Sequence, residues 1–210
     1  MSPLTSTKEH TMRKVIVSQI LSLDGHFTGP GGDVMAMPFD DGFSDNNVEL
    51  LRGAGTVLLG RTSFLGFRDY WPGVRDDPDQ PELEREISRL NWAVEKVVVS
   101  DTLTADDTAP WAGTTRIVRR AHAHDAVRAL REGEGGASGH VVVFGSHVLW
   151  NDLLAHGLVD ELHLLFGPGI VGAGGIPAFE SAGPSRFRLL DVHRWDGSDL
   201  VRLRYATDAD

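Results

Sequence analysis

Residues 139–175, GHVVVFGSHVLWNDLLAHGLVDELHLLFGPGIVGAGG, decide how the rest of the chain is read. Val141–Phe144 is a short, wholly apolar run, the pattern of a parallel strand covered on both faces. Gly145-Ser146 turns the chain, and the Ser146 hydroxyl is placed to cap the helix that follows. Leu149, Trp150, Leu153 and Leu154 fall on one helical face, and Gly157 stands where a left-handed C-terminal stop is expected. Val159–Phe166 returns as the next strand, and Pro168–Gly175 is a glycine loop. A turn at the carboxyl end of a strand, feeding a helix N-terminus, is a place where backbone N–H groups can hold phosphate.

The same order occurs upstream. Thr56–Leu59 reads as a second buried strand, followed by Gly60-Arg61-Thr62-Ser63 and a short helix through Phe67. If both strands are parallel, two helix N-termini face one sheet edge. Arg13–Ser22 is a β-branched run and the expected central strand; Leu23-Asp24-Gly25 is a turn that Asp24 can brace through its own side chain. His26–Gly42 has no periodicity and reads as a long loop. Ser44–Arg52 reads as a helix capped by Ser44, with Val48 and Leu51 inward. Asp69–Asn91 is a polar excursion, including a Tyr70-Trp71 loop and a surface helix over Glu82–Leu90.

Lys96–Ser100 and Arg116–Val118 complete the buried strands, and His122–Arg131 is helical with Ala123, Val127 and Leu130 on one side. Glu132–Ser138 is a flexible link. Phe187–Trp195 and Leu200–Tyr205 flank Asp196-Gly197-Ser198, a hairpin signal; Val201, Leu203 and Tyr205 alternate with Arg202 and Arg204 as in a half-exposed strand. The expected fold is one α/β domain over residues 12–207: a mostly parallel central sheet, a C-terminal antiparallel hairpin, and helices on both faces. Residues 1–11, MSPLTSTKEHT, lack the apolar core of a secretory signal and read as a disordered leader.

Bulk properties narrow the function. The formal charge of −10 comes with no basic block, which argues against a nucleic-acid surface. There is no cysteine, so disulfides, thiolate zinc sites and a cysteine nucleophile are excluded. No apolar run approaches the roughly 18–20 residues of a membrane span, and a cytoplasmic location is expected. No Gly-x-Ser-x-Gly elbow supports hydrolase chemistry. His122 and His124 are two apart at a helix start and diverge, and Glu161 and His163 share a strand face without a third ligand; no metal site is expected.

Taken together, Ser22-Leu23-Asp24-Gly25, Val57-Leu58-Leu59-Gly60-Arg61-Thr62, Lys96-Val97-Val98-Val99-Ser100, Gly157-Leu158-Val159-Asp160-Glu161-Leu162 and the Pro168–Gly175 loop resemble the dihydrofolate-reductase-like proteins. Within them, the chain is similar to the reductase domain of the bifunctional riboflavin-biosynthesis deaminase–reductase, standing without a deaminase motif. The resemblance implies a three-layer fold and a nicotinamide cofactor, usually NADPH, across the carboxyl edge of the sheet. It implies cofactor contacts at Gly60, Arg61 and Thr62, with Arg61 near the adenosine 2′-phosphate. It also implies them at Ser100 on the adenine-ribose side, and at Gly145, Ser146, His147 and Val148 around the pyrophosphate. Where dihydrofolate reductases usually carry two glycines, this chain has Gly145-Ser146, which weakens folate as substrate. The resemblance further implies a proton donor on the first helix, for which Asp41 is the first choice and Asp45 the second. It implies a homodimer too, with the alternating Val159–Phe166 strand suited to face a partner. A substrate pocket is expected between the Gly29–Gly42, Tyr70-Trp71 and Pro168–Gly175 loops, with Asp24, Trp71, Pro168 and Gly172 as its candidate residues and Trp71 able to stack on a planar ring.

Plainer readings stand beside these. Gly60-Arg61-Thr62 and Gly145-Ser146 are also what a tight turn with a cap requires; Ser100 can simply end a strand, and Asp41, Asp45 and Trp71 can be solvated, capping or packing residues. A non-catalytic nucleotide-binding protein of the same fold is the alternative to a reductase.

Overall fold

The computed structural model describes residues 12–133, 138–180 and 185–207. The leader at residues 1–11 and most of the expected 132–138 link lie outside the described residues. In chain order the elements are β1 (Val15–Leu21), β2 (His26–Thr28), α1 (Asp41–Gly53), β3 (Ala54–Gly60), α2 (Arg61–Val74), α3 (Glu82–Ala93), β4 (Glu95–Val99), β5 (Thr115–Val118), α4 (Ala123–Arg131), β6 (His140–Phe144), α5 (His147–Ala155), β7 (Glu161–Phe166), β8 (Ile176–Pro177), β9 (Arg188–Arg194) and β10 (Val201–Ala206).

Eight strands form one sheet in the order β5-β4-β3-β6-β1-β7-β10-β9. The pairs from β5 through β7 are parallel, while β10 runs antiparallel to both β7 and β9. The central parallel strands are mostly apolar because they are covered on both faces, with Gln19, Lys96, Glu161 and His163 among the buried polar exceptions. On one face, Val15, Val17, Val141, Val143 and Leu162 pack with Val127 and Leu130 of α4 and Trp150 and Leu153 of α5. On the other, Val57, Leu59, Val98 and Val142 pack with Leu51 of α1, Phe64 of α2 and Ile87 of α3. The result is the expected α/β/α sandwich. Gly157 takes φ +66° and stops α5, and Gly197 takes φ +81° at the hairpin tip, both as left-handed turns require.

Several local expectations are corrected. The first helix starts at Asp41, not Ser44; Asp40 is its cap, accepting the Phe43 N–H, and Ser44 is buried inside it. Asp and Ser cap about equally well, so position in the fold decides. The 26–42 segment is not structureless: it holds β2, paired with β8, and two short 3-10 turns at Pro30–Gly32 and Val34–Ala36. The helix expected to end near Phe67 continues to Val74 through Pro72, so Trp71 lies on α2 rather than in a loop. Trp71 is buried against Phe67, and the Ser88 hydroxyl of α3 donates to its carbonyl at 2.6 Å. Burial of Phe64, Trp71 and Val74 against α3 outweighs the helix-breaking tendency of Pro72-Gly73.

The sheet also overturns two surface readings. β7 lies between β1 and β10, and five of its six residues are buried, so it cannot face a partner chain. On β10 it is Arg202 that is buried and Val201, Leu203 and Tyr205 that are half-buried. The Arg202 guanidinium donates to Asn46 at 3.1 Å and Glu49 at 2.7 Å of α1, so α1 covers the arginine face of the hairpin; on the other face Tyr205 packs against the α4–α5 core while Val201 and Leu203 stay half-buried.

A buried polar cluster ties β7 to its neighbours. Glu161 accepts from His163 Nε2 at 2.9 Å, Lys14 Nζ at 2.6 Å and Arg204 Nη2 at 3.0 Å. Its carboxyl is held well below the usual carboxylate range, chiefly by the His163 hydrogen bond, with Lys14 and Arg204 adding to it against the cost of burial. Burial pushes the His163 imidazole down from its ordinary value, with Glu161 opposing. Both shifts have the same sign for stability. The unfolded chain takes up a proton on histidine below about pH 6.5 and on glutamate below about pH 4.3, while the folded chain resists. Stability is therefore expected to fall in two stages as pH drops through these values. A urea-unfolding series against pH should give a shallower first stage for His163→Gln and a shallower second stage for Glu161→Gln, the latter also losing about 1–3 kcal/mol at pH 7.

Candidate cofactor site at the carboxyl edge of the sheet

Strands β3 and β6 are parallel neighbours, with Leu58 opposite Val143, so the turns that follow them emerge side by side. Gly145 takes φ +55° and Ser146 takes φ 54°, ψ 44°, two consecutive left-handed residues of which one is not glycine. The Ser146 hydroxyl does not cap α5 as expected. It accepts the Gly60 N–H at 2.9 Å, across from the other turn. In return, the Ser146 N–H donates to the Ser63 hydroxyl at 2.8 Å. Gln19, buried on β1, donates to the Gly145 carbonyl at 2.7 Å and fixes the turn from its other side. A Cβ on Gly145 would approach Ser63 Oγ at 3.0 Å, so the turn is glycine for space as well as for φ.

Neither α2 nor α5 has a side-chain cap. Their first-turn N–H groups thus remain available to an anion, and the two helix dipoles add positive potential at the same edge. Arg61 and Thr62 open α2 and are exposed. Two uncapped helix starts with an exposed guanidinium beside them fit the phosphates of a dinucleotide.

The other expected contacts divide. Ser100 ends β4 beside β3, and its hydroxyl accepts the N–H groups of Thr102 at 3.2 Å and Leu103 at 2.9 Å, so it closes its own turn. The His147 imidazole turns away from the edge: Nε2 lies 2.9 Å and 3.0 Å from the Pro177 and Ala178 carbonyls, and the ring stacks on Phe27. Its backbone N–H remains at the helix start. Val148 is exposed on α5.

Asp24 accepts the Ser22 hydroxyl at 2.6 Å and, across a sequence gap, the N–H groups of Gly172 at 2.7 Å and Val171 at 3.1 Å. The Ser22 bond first, then Gly172 and Val171, hold its carboxyl well below the usual range. Its brace therefore reaches the Pro168–Gly175 loop, and two of the expected substrate-site residues, Asp24 and Gly172, meet directly. Pro168 is exposed on that loop. Trp71 stands apart from them in the core beneath α2 and α3, so the pocket wall assigned to a Tyr70-Trp71 loop does not exist.

Asp41 is the first residue of α1 and Asp45 stands one turn on; both are exposed. Their neighbour Asp40 is engaged, accepting the Ser198 hydroxyl at 2.7 Å as well as the Phe43 N–H. Gln19 and Ser63 are the residues that sequence reasoning missed, while Asp40 is visible beside the first helix but is passed over for Asp41 and Asp45. Only Ser63 carried a signal, as the third residue of a helix opened by a glycine turn. An open hollow of about 520 Å³, lined by Leu23, Phe166, Pro168, Val201 and Leu203 among others, lies at the Phe166 end of β7 beside β10 and touches neither turn. It is not the space between the helix starts.

The Ser146 geometry is testable. Left-handed backbone costs a non-glycine residue about 1–2 kcal/mol, so Ser146→Gly is expected to lose the Gly60 bond but regain most of that cost. Ser146→Ala loses the bond, strands the Gly60 N–H and keeps the strain, and is expected to be less stable than wild type by about 1–3 kcal/mol. Urea midpoints that rank Ala below Gly would bear this out; equal losses would not.

Comparison with known proteins agrees with the fold. A riboflavin-biosynthesis candidate of Shewanella sp. PV-4 superposes with a TM-score of 0.65 at 20% identity, over 93% of this chain and 99% of that one. The Saccharomyces cerevisiae riboflavin biosynthesis reductase Rib7 superposes at 0.59 and 15% identity, over 96% and 93%. The Enterococcus faecalis dihydrofolate reductase, in a complex with NADP(H), does so at 0.55 and 14% identity, over 93% and 97%. At these identities the likeness is one of fold. No curated protein sequence matches the chain. The RibD C-terminal domain matches residues 13–201, nearly the whole sheet and both glycine turns, and the chain belongs to this family of oxidoreductases.

Proposed function

We propose that the chain is an NADPH-dependent reductase acting on a small heterocyclic or carbonyl-type substrate. The observation that carries this reading is the pair of uncapped helix starts joined through Ser146. Thr62, Gly145, His147 and Val148 hold the pyrophosphate through backbone N–H groups, Gly60 and Ser146 fix the two turns through their own bonds, and Arg61 contacts the 2′-phosphate. Ser100 shapes the adenine-ribose side through its turn. Bound there, the cofactor supplies a hydride from its nicotinamide ring. Asp24 orders the Gly172 loop that closes over the substrate, with Pro168 on its rim. Asp41 or Asp45 supplies or relays the proton. We take the protein to be cytoplasmic; no helix among the described residues is long and apolar enough to cross a membrane.

A second reading, a nucleotide-binding protein without turnover, draws support from the exposure of both candidate acids, since a proton donor is usually shielded. We also propose a homodimer. With β7 interior, the surface for a second copy is the uncovered side of the C-terminal hairpin, where Leu189, Val192 and Leu23 are exposed beside half-buried Leu203.

Fluorescence titration with NADPH and NADH is the first test. Arg61→Ala is expected to weaken NADPH by about 1–3 kcal/mol and NADH much less; an equal loss for both removes the 2′-phosphate role. Cofactor oxidation with pyrimidine, pteridine and quinone acceptors then separates the two readings. With an acceptor in hand, Asp41→Asn or Asp45→Asn should lower turnover by about 100-fold or more without changing NADPH affinity. Tight NADPH binding with no oxidation of any acceptor favours the non-catalytic reading.

A further inference from the structure

The end of α5 remote from the Ser146 turn carries a cluster that the reductase site does not use. His124, Asp152 and His156 each offer one ligand atom, and these atoms all lie within 4.8 Å of one another. Asp152 and His156 are four apart and share a face. His124 reaches them from the first turn of α4. Its Nε2 lies 2.6 Å from Asp152 Oδ2, while His156 Nδ1 lies 3.4 Å from Asp152 Oδ1. The two imidazole centroids are 4.3 Å apart with the rings tilted by 41°. His122, two residues earlier, takes no part.

We infer that His124, Asp152 and His156 form a binding site for one divalent transition-metal ion of the zinc class, clamping α4 to α5. Two imidazoles and a carboxylate, with the remaining positions open to water, are a donor set that zinc, cobalt and nickel accept. Calcium and magnesium are disfavoured, because they require mainly oxygen ligands and only one carboxylate is present. The side chains keep 31%, 45% and 51% of their exposure in the order His124, Asp152, His156, so an ion enters by rotamer adjustment without moving the helices. His156 Nδ1 also lies 2.8 Å from the Asp152 carbonyl oxygen, a bond with which the ion competes. Position adds a second favourable effect: His156 is the C-cap of α5, where the helix dipole attracts positive charge. The site is structural rather than catalytic, since it joins the two helices of one layer at the end of α5 away from the cofactor turn.

The test uses the full chain without an affinity tag, stripped with a chelator and titrated calorimetrically with zinc. One ion per chain is expected, with a raised thermal midpoint. His124→Ala, His156→Ala and the near-isosteric Asp152→Asn should each weaken binding by more than about tenfold. Cobalt should give a visible absorption band in the wild-type chain that the variants lack. Far-UV circular dichroism verifies that each variant is folded, and Asp152→Asn provides the test if either alanine variant is not. Failure of the wild-type chain to take up zinc, or zinc uptake by folded variants with wild-type affinity and stoichiometry, overturns the site. Neither outcome bears on the nicotinamide assignment, which the NADPH titration tests separately.

Discussion

The reciprocal bonding of two serines across adjacent turns is the constraint on which the candidate site depends. Ser146 accepts from Gly60 and donates to Ser63, so each glycine turn holds the other in place. The left-handed backbone at Ser146 costs about 1–2 kcal/mol, and two hydrogen bonds at about 0.5–1.5 kcal/mol each offset it. The balance is near zero, so the geometry persists only because both bonds are made together. Their consequence is spatial: two helix starts stay uncapped, a strand's width apart, with their N–H groups directed to one edge.

That edge carries positive groups despite the acidic balance of the chain as a whole. The formal charge is −10, yet the acidic groups nearest the loops are largely occupied. Asp24 is spent on Ser22, Val171 and Gly172, and Asp40 on Phe43 and Ser198. These carboxylates order loops by accepting N–H and O–H groups, and their charge is partly compensated where they stand. Arg61 is left exposed at the start of α2. An anionic ligand therefore meets helix dipoles and a guanidinium there, the guanidinium within coulombic reach of Asp107.

The two halves of the sheet are stabilised differently. From β5 to β1 the core is mainly hydrocarbon, and its helices sit where the strand-to-helix crossovers put them. From β7 to β9 polar contacts replace much of that packing on one face: Arg202 with Asn46 and Glu49, and Glu161 with His163, Lys14 and Arg204. Ordering there depends on charge satisfaction, which makes that half sensitive to acid. On the opposite face, among the described residues, Leu189, Leu190 and Val192 of the hairpin are exposed.

What could be read from sequence was what local forces determine. Val141–Phe144, the Gly157 stop, the Ala123-Val127-Leu130 stripe and the Asp196-Gly197 hairpin are set by side-chain periodicity and by glycine's tolerance of positive φ, and they stand where expected. The family resemblance, and with it the parallel sheet, follows from their order. Tertiary structure decided the rest. Trp71 became core because α3 packs on α2 across a proline, and Arg202 became buried because α1 supplies Asn46 and Glu49 more than 150 positions away. Ser146 lost its expected cap role to a partner 86 residues distant. A hydroxyl's local options look alike in any sequence window; which one it takes depends on the competing donor that the fold delivers to it.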